Sequence, residues 1–176
     1  DIKYRIMQLD GGTFQNLCDA FLHCEGYGSG YSLGMQTGTN KTASGSPDTY
    51  FLTAENKYVM VMYSTQQTDF LKKAEEDIAK CFDQKRTGLS EDDVAEIVIC
   101  HTYGRLHTGD DKQLRDLCAK RDTKLTLIGL DKLAEGLFFE YPRLARDFLG
   151  VSVDTGQVMS ISEFIQTHDN NKMSAP

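Results

Sequence analysis

The chain has 176 residues, 40% hydrophobic and 26% charged, which is ordinary for a globular protein and enough for one domain with its own core. A formal charge of −7 counts against a free-standing nucleic-acid binder, because phosphate contacts draw their affinity from a basic excess. No apolar run approaches ~20 residues, so no transmembrane helix and no membrane partner is expected. Five cysteines without a CxxC pair argue against a disulfide scaffold or a zinc site and for reduced thiols in a cytoplasmic protein.

The chain opens Asp1-Ile2-Lys3-Tyr4 with neither an initiator Met nor an apolar leader, so it is expected to be a piece of a longer protein. Residues 13–25 read as the first helix. Phe14, Leu17, Cys18, Phe21 and Leu22 form its apolar stripe, Thr13 is its expected N-cap, and Gly26-Tyr27-Gly28 stops it. Residues 31–36 read as a short strand and residues 37–46 as a polar loop. Gly45-Ser46-Pro47-Asp48-Thr49-Tyr50-Phe51 then delivers an aspartate onto an apolar strand. Four residues later, Lys57-Tyr58-Val59-Met60-Val61-Met62-Tyr63-Ser64-Thr65 reads as a buried strand. The two make an antiparallel hairpin with Asp48 at its entrance.

Residues 68–84 read as a long helix with Phe70, Leu71, Ala74, Ile78, Cys81 and Phe82 on its apolar face. A turn at residues 88–93 leads to an apolar strand at 96–102. An amphipathic helix follows at 110–120, then a strand at 124–128 and helices at 130–139 and 144–149. The order α-β-β-β-α-β-α-β-α specifies a mixed sheet with helices on its faces, and the strand at 57–65 belongs at or near its centre. Residues 1–150 form one expected domain. Residues 151–176, with a capping box at Ser160 and Glu163 and a polar end, read as an extension and linker toward a further domain.

Residues alternate faces along a strand, so Met62, Ser64 and Gln66 share a side, and the hairpin sets Asp48 opposite positions 62–66. Asp48 is a hard oxygen donor suited to Mg²⁺, whereas Met62 is a soft, neutral thioether and Ser64 offers only a hydroxyl. On the helix at 68–84, the pairs Lys72–Glu76 and Lys73–Asp77 have the spacing of solvated i, i+4 ion pairs. His101 and His107 flank Tyr103-Gly104-Arg105 and are expected on a loop surface; Lys41 offers a weak phosphate contact.

A Pro-Asp opening a hairpin resembles the PD-(D/E)XK, or restriction-endonuclease-like, nucleases, whose fold is an αβββαβ core. The resemblance extends over Phe14-Gln15-Asn16-Leu17-Cys18-Asp19, Gly45-Ser46-Pro47-Asp48-Thr49-Tyr50-Phe51, Tyr63-Ser64-Thr65-Gln66, Phe148-Leu149-Gly150-Val151 and Asp154-Thr155-Gly156-Gln157. Over these stretches the chain is similar to the Mrr-like N-terminal effector module of bacterial Avs-like STAND (NACHT-type) antiphage NTPases. The resemblance implies that Asp48 binds Mg²⁺ or Mn²⁺. It also implies that the acid-x-Lys of the family falls on Met62-Tyr63-Ser64, where both chemistries are replaced, and that the first-helix Glu of Mrr-like members falls on Gln15. Some members move the acid onto the following helix, where Glu76 is the matching candidate and Lys73 the displaced positive charge; Glu75 and Asp77 are also offered there, and the register stays open. Gln66 falls where the family places a polar residue pointing into the cleft. The implied function is a metal-dependent DNA endonuclease of an antiviral defence protein. It would act on double-stranded DNA and be activated when the full chain, with its NTPase and sensor domains, assembles into a homo-oligomer. The alternative is a degenerate nuclease fold that serves as a DNA-binding or oligomerisation module.

Overall fold

The computed structural model describes residues 1–28 and 48–153. The strand read at 31–36, the loop at 37–46 with Lys41, and the extension from residue 154 onward lie outside them. Asp1 caps helix α1 (Ile2–Met7) by accepting the Lys3 amide, and Ile2 and Ile6, one turn apart, are buried. Six residues carry too little periodicity to be read from sequence, and this helix is a structural finding.

Helix α2 (Gly11–Cys24) begins two residues before the expected start, and its N-cap is Asp10 rather than Thr13. Asp10 is extended and accepts both the amide (2.8 Å) and the hydroxyl (2.9 Å) of Thr13. Two glycines in the first turn conceal that start from a propensity reading. Past its last residue and the C-cap Glu25 comes Gly26, whose φ of +98° suits glycine.

Strands β1 (Thr49–Leu52) and β2 (Tyr58–Ser64) form the expected antiparallel hairpin, with Thr49 opposite Val61 and Leu52 opposite Tyr58. Its turn closes through Thr53 N donating to Lys57 O (2.8 Å), with Asn56 in the left-handed region (φ +60°) that asparagine tolerates. Helix α3 (Phe70–Cys81), the single turn α4 (Gln84–Thr87) and a 3₁₀ turn at Glu91–Asp93 follow. Strand β3 (Val94–His101) then pairs parallel with β2, Met62 opposite Ile99 and Ser64 opposite His101. After α5 (Thr108–Ala119), β4 (Lys124–Ile128) pairs parallel with β3. Helices α6 (Leu130–Phe139) and α7 (Pro142–Leu149) end the described chain.

The result is a mixed sheet in the order β1-β2-β3-β4 with helices on both faces. Alternate residues of β2 divide between the two layers. Val59 and Val61 pack with Phe14, Leu17 and Phe21 of α2 and Leu133 and Leu137 of α6. Met60 and Met62 pack with Phe70, Ala74 and Ile78 of α3 and Leu114 of α5. All four strand residues are buried, so β2 is interior and covered on both faces, as its unbroken apolar run requires. All five cysteines are free. No helix of the described residues is long and apolar enough to cross a membrane.

Candidate functional site

Asp48 stands at the end of β1 that lies beside the carboxyl end of β2, on the outer strand of the sheet among the described residues. Its Oδ2 accepts the Tyr63 amide (3.3 Å), so the side chain is turned onto the strand edge. From there it interacts electrostatically with charged side chains of both helical layers.

From one layer comes Asp19 of α2. It is buried, its Oδ1 accepts the Tyr63 hydroxyl and lies 3.5 Å from the Thr49 hydroxyl, and its Oδ2 is buried with no hydrogen-bond partner among the described residues. Desolvation pushes its pKa up to about 7; the Thr49 hydroxyl works against the rise and the charge of Asp48 adds to it. From the other layer comes Asp77 of α3, buried and held by Lys73 (2.8 Å), with Lys80 at 3.9 Å. Asp48 registers these neighbours. Burial raises its pKa, Asp77 raises it further, and Lys73 and Lys80 oppose the rise.

Three carboxylates from three elements and two ammonium groups therefore share one electrostatic neighbourhood at the sheet edge. The geometry of α3 explains why Asp77 takes part. Phe70, Ala74, Asp77 and Cys81 fall at i, i+4, i+7 and i+11, so Asp77 lies within the buried stripe, while Glu76 projects to solvent and is exposed. Lys73 stands one turn before Asp77 and is half-buried.

Other residues singled out from sequence fall nearby with different partners. Gln15 lies one turn before Asp19 on α2 and is half-buried, and among the described residues its side chain makes no hydrogen bond; α2 meets Asp48 through Asp19. Ser64 is buried, on the α3 side of β2, and its Oγ accepts the Gln66 amide (3.2 Å), which closes the turn leaving the strand. The Gln66 side chain donates to Thr68 O in that same turn. Met62 packs in the core with its sulfur 3.5 Å from Cys81 Sγ, so a metal-ligating side chain is absent from that position of the strand.

The two histidines part company. His107 is exposed at the start of α5, but His101 is not on a loop surface as expected. It is the last residue of β3, only 4% exposed, with its ring tilted against that of Phe70 at 4.6 Å. The strand read at 96–102 already contains His101, and parallel pairing with β2, Ser64 opposite His101, with the Phe70 ring against the imidazole, is what buries it.

Asp19, Thr49, Tyr63 and Lys80 are site residues that the sequence reading passes over. For Asp19 a signal exists, since it lies four residues after Gln15 and shares its side of the helix. For Asp77 the signal is stronger: a carboxylate in the middle of an apolar stripe needs a local reason.

Among the described residues no group of three His, Cys, Asp or Glu side chains is gathered tightly enough to hold a metal by itself. The donor chemistry fits a hard cation that takes two carboxylates and completes its shell with water and substrate oxygens, the usual habit of Mg²⁺. Asp19 Oδ2, buried and unsatisfied, is the atom such an ion would complete. No protein-family model and no curated protein matches the chain.

Proposed function

We propose that the chain is a metal-dependent DNA endonuclease domain, of the effector type that serves antiviral defence when its parent protein assembles. The observation that carries the reading is the edge cluster: Asp48 at the hairpin entrance, flanked by a buried unsatisfied Asp19 and by the Asp77–Lys73 pair. Asp19 and Asp48 are the residues that would hold Mg²⁺ or Mn²⁺. When bound, the ion supplies Lewis-acid polarisation of the phosphate and a water acidified for attack. The Tyr63 hydroxyl holds Asp19 and the Tyr63 amide holds Asp48, so one residue ties both carboxylates. Lys73, fixed by Asp77, offers the positive charge that Ser64 does not bring to the scissile phosphate.

The test is a thermal melt of the chain at pH 8 with and without Mg²⁺, alongside cleavage of plasmid DNA. Bringing two carboxylates together costs stability that a bound cation relieves, so Mg²⁺ is expected to raise Tm of the wild type and not of Asp48→Asn. Activity of the assembled parent protein is expected to vanish in Asp48→Ala while the domain stays folded. Wild-type cleavage by that variant would remove Asp48 from the chemistry.

One observation favours a second reading. Met62, at the position of the strand acid, is committed to the core against Cys81. A DNA-binding or oligomerisation module without hydrolysis follows if Mg²⁺ binds but cleavage is absent from the assembled protein.

A further inference from the structure

A second crevice opens at the carboxyl ends of β3 and β4, two strands away from Asp48 and with no residue in common with the carboxylate cluster. After β3 the chain crosses to α5, which packs with Met60 and Met62. After β4 it crosses to α6, which packs with Val59 and Val61 on the opposite face. The connections diverge between these strands, which is where open parallel sheets leave room for a ligand. Here the room is a cavity of about 550 Å³ with His101 on its floor and Gly129, Leu130 and Lys132 along one wall.

We propose that this cavity binds a phosphoryl oxyanion. The first support is His101. Its Nδ1 accepts the Tyr103 amide (3.1 Å), which leaves the proton of the neutral ring on Nε2. The ring is 96% buried against Phe70, lines the cavity, and makes no hydrogen bond through Nε2 among the described residues. The imidazole is thus buried as a side chain while its Nε2 donor is left without an acceptor among the described residues, in a ring that lines the cavity.

The second support is the start of α6, a helix of 10 residues. Its N-cap is Gly129, which has no side chain to cap the first turn, and the amides of Leu130, Asp131 and Lys132 have no acceptor among the described residues. A Cβ at Gly129 would lie 3.0 Å from His101 Cε1 and 3.2 Å from Nε2, so the glycine is what lets the helix start approach the imidazole. Free amides at a helix start favour an anion by hydrogen bonding and by the helix dipole together.

The charges of the lining agree. Asp131 is paired with Lys3 and Asp111 with Arg115 (2.6 Å), so both carboxylates are neutralised. Lys132 forms no ion pair among the described residues, and His107 is exposed at the rim. Of the charged groups of the lining, Lys3 and Arg115 are matched by Asp131 and Asp111 and Lys132 is left over, so the lining favours an acceptor with negative charge. A phosphoryl group has the oxygens to meet the imidazole and two amides at once. It can come from a free nucleotide or from a nucleic-acid backbone; the site does not depend on the endonuclease reading.

The test is a titration of the isotope-labelled chain, followed by the NMR signals of the Leu130, Asp131 and Lys132 amides and the His101 ring. Inorganic phosphate, adenosine monophosphate and a short DNA duplex are the probes, with acetate and chloride at equal ionic strength as controls. Saturable shifts confined to these residues are expected with phosphate and not with acetate. His101→Phe, which keeps an aromatic ring against Phe70 and removes both ring nitrogens, is expected to weaken binding about tenfold. Lys132→Glu, at the surface and harmless to the fold, is expected to weaken it by a similar factor. A duplex that shifts the same signals at lower concentration than the nucleotide makes the source a nucleic acid, and the reverse order makes it a free nucleotide. Shifts absent up to tens of millimolar phosphate, equal with acetate, or unchanged in Lys132→Glu overturn the proposal.

Discussion

Asp19 carries the most informative single atom of the molecule, an Oδ2 that is buried and unpartnered beside the charge of Asp48. A carboxyl whose folded pKa is raised from 3.8 to about 7 keeps its proton in the folded state and loses it in the unfolded one between those values. The unfolded state then binds fewer protons, so this group makes stability fall as pH rises from about 4 to about 7; below 4 its cost disappears, and above 7 it is constant. Asp19→Asn removes the ionisation and keeps an acceptor for Tyr63 and Thr49. It is expected to flatten the pH dependence of urea unfolding in that window and to stabilise the chain by about 1–3 kcal/mol at pH 8. A bound divalent cation takes the place of the proton, so Mg²⁺ is expected to flatten the wild-type profile as well. An unchanged slope in Asp19→Asn would place the titrating group elsewhere.

At the scale of elements, the site depends on how closely α2 and α6 are drawn together over the Val59 and Val61 face of β2. Gly136 in the middle of α6 sets that approach: a Cβ there would lie 2.5 Å from Phe21 Cε2 and 2.9 Å from Cζ. Phe21 cannot step aside, because it is 1% exposed and meets Tyr141 edge-on at 5.5 Å. On an exposed helix Gly→Ala gains about 1 kcal/mol. Here overpacking outweighs that gain, and Gly136→Ala is expected to destabilise the chain by about 1–3 kcal/mol in urea titration. Because Phe21 lies on the same helix as Asp19, the displacement is also expected to weaken Mg²⁺ stabilisation. A neutral or stabilising Gly136→Ala would mean that α6 shifts freely on α2.

For the whole molecule, charge decides how the proposed activity is used. A chain of net charge −7, with carboxylates clustered at one edge of its sheet, attracts DNA weakly by itself. Cleavage by the isolated chain is therefore expected to be slow. Joining two copies by a flexible linker is expected to raise the rate at equal domain concentration by more than tenfold, since the second domain then acts at a high effective concentration. Robust, EDTA-sensitive cleavage of plasmid by the single chain, unaffected by linkage, would show that clustering is not the control.

Much of this architecture is legible in the sequence alone. An unbroken apolar run places β2 inside the sheet, a four-residue connection folds it back on β1, and alternating or helical periodicity marks β4 at Lys124–Ile128 and α6 at Leu130–Phe139. Asp48 at the hairpin entrance follows from the same pattern. These features depend on neighbours in the chain, where the 2.0 and 3.6 periods apply. Which carboxylates surround Asp48 is a different kind of fact. Gln15 and Asp19 share one side of α2, and Glu76 and Asp77 are adjacent on α3, so periodicity narrows the choice without making it. The rotation of each helix against the sheet makes it, and that rotation is set by Phe14, Phe21 and Phe70 seating in layers built from distant parts of the chain. The crevice at His101 and Gly129 likewise exists only where two parallel strands send their helices to opposite faces, because the residues that line it are brought together by pairing across the sheet and not by spacing along the chain.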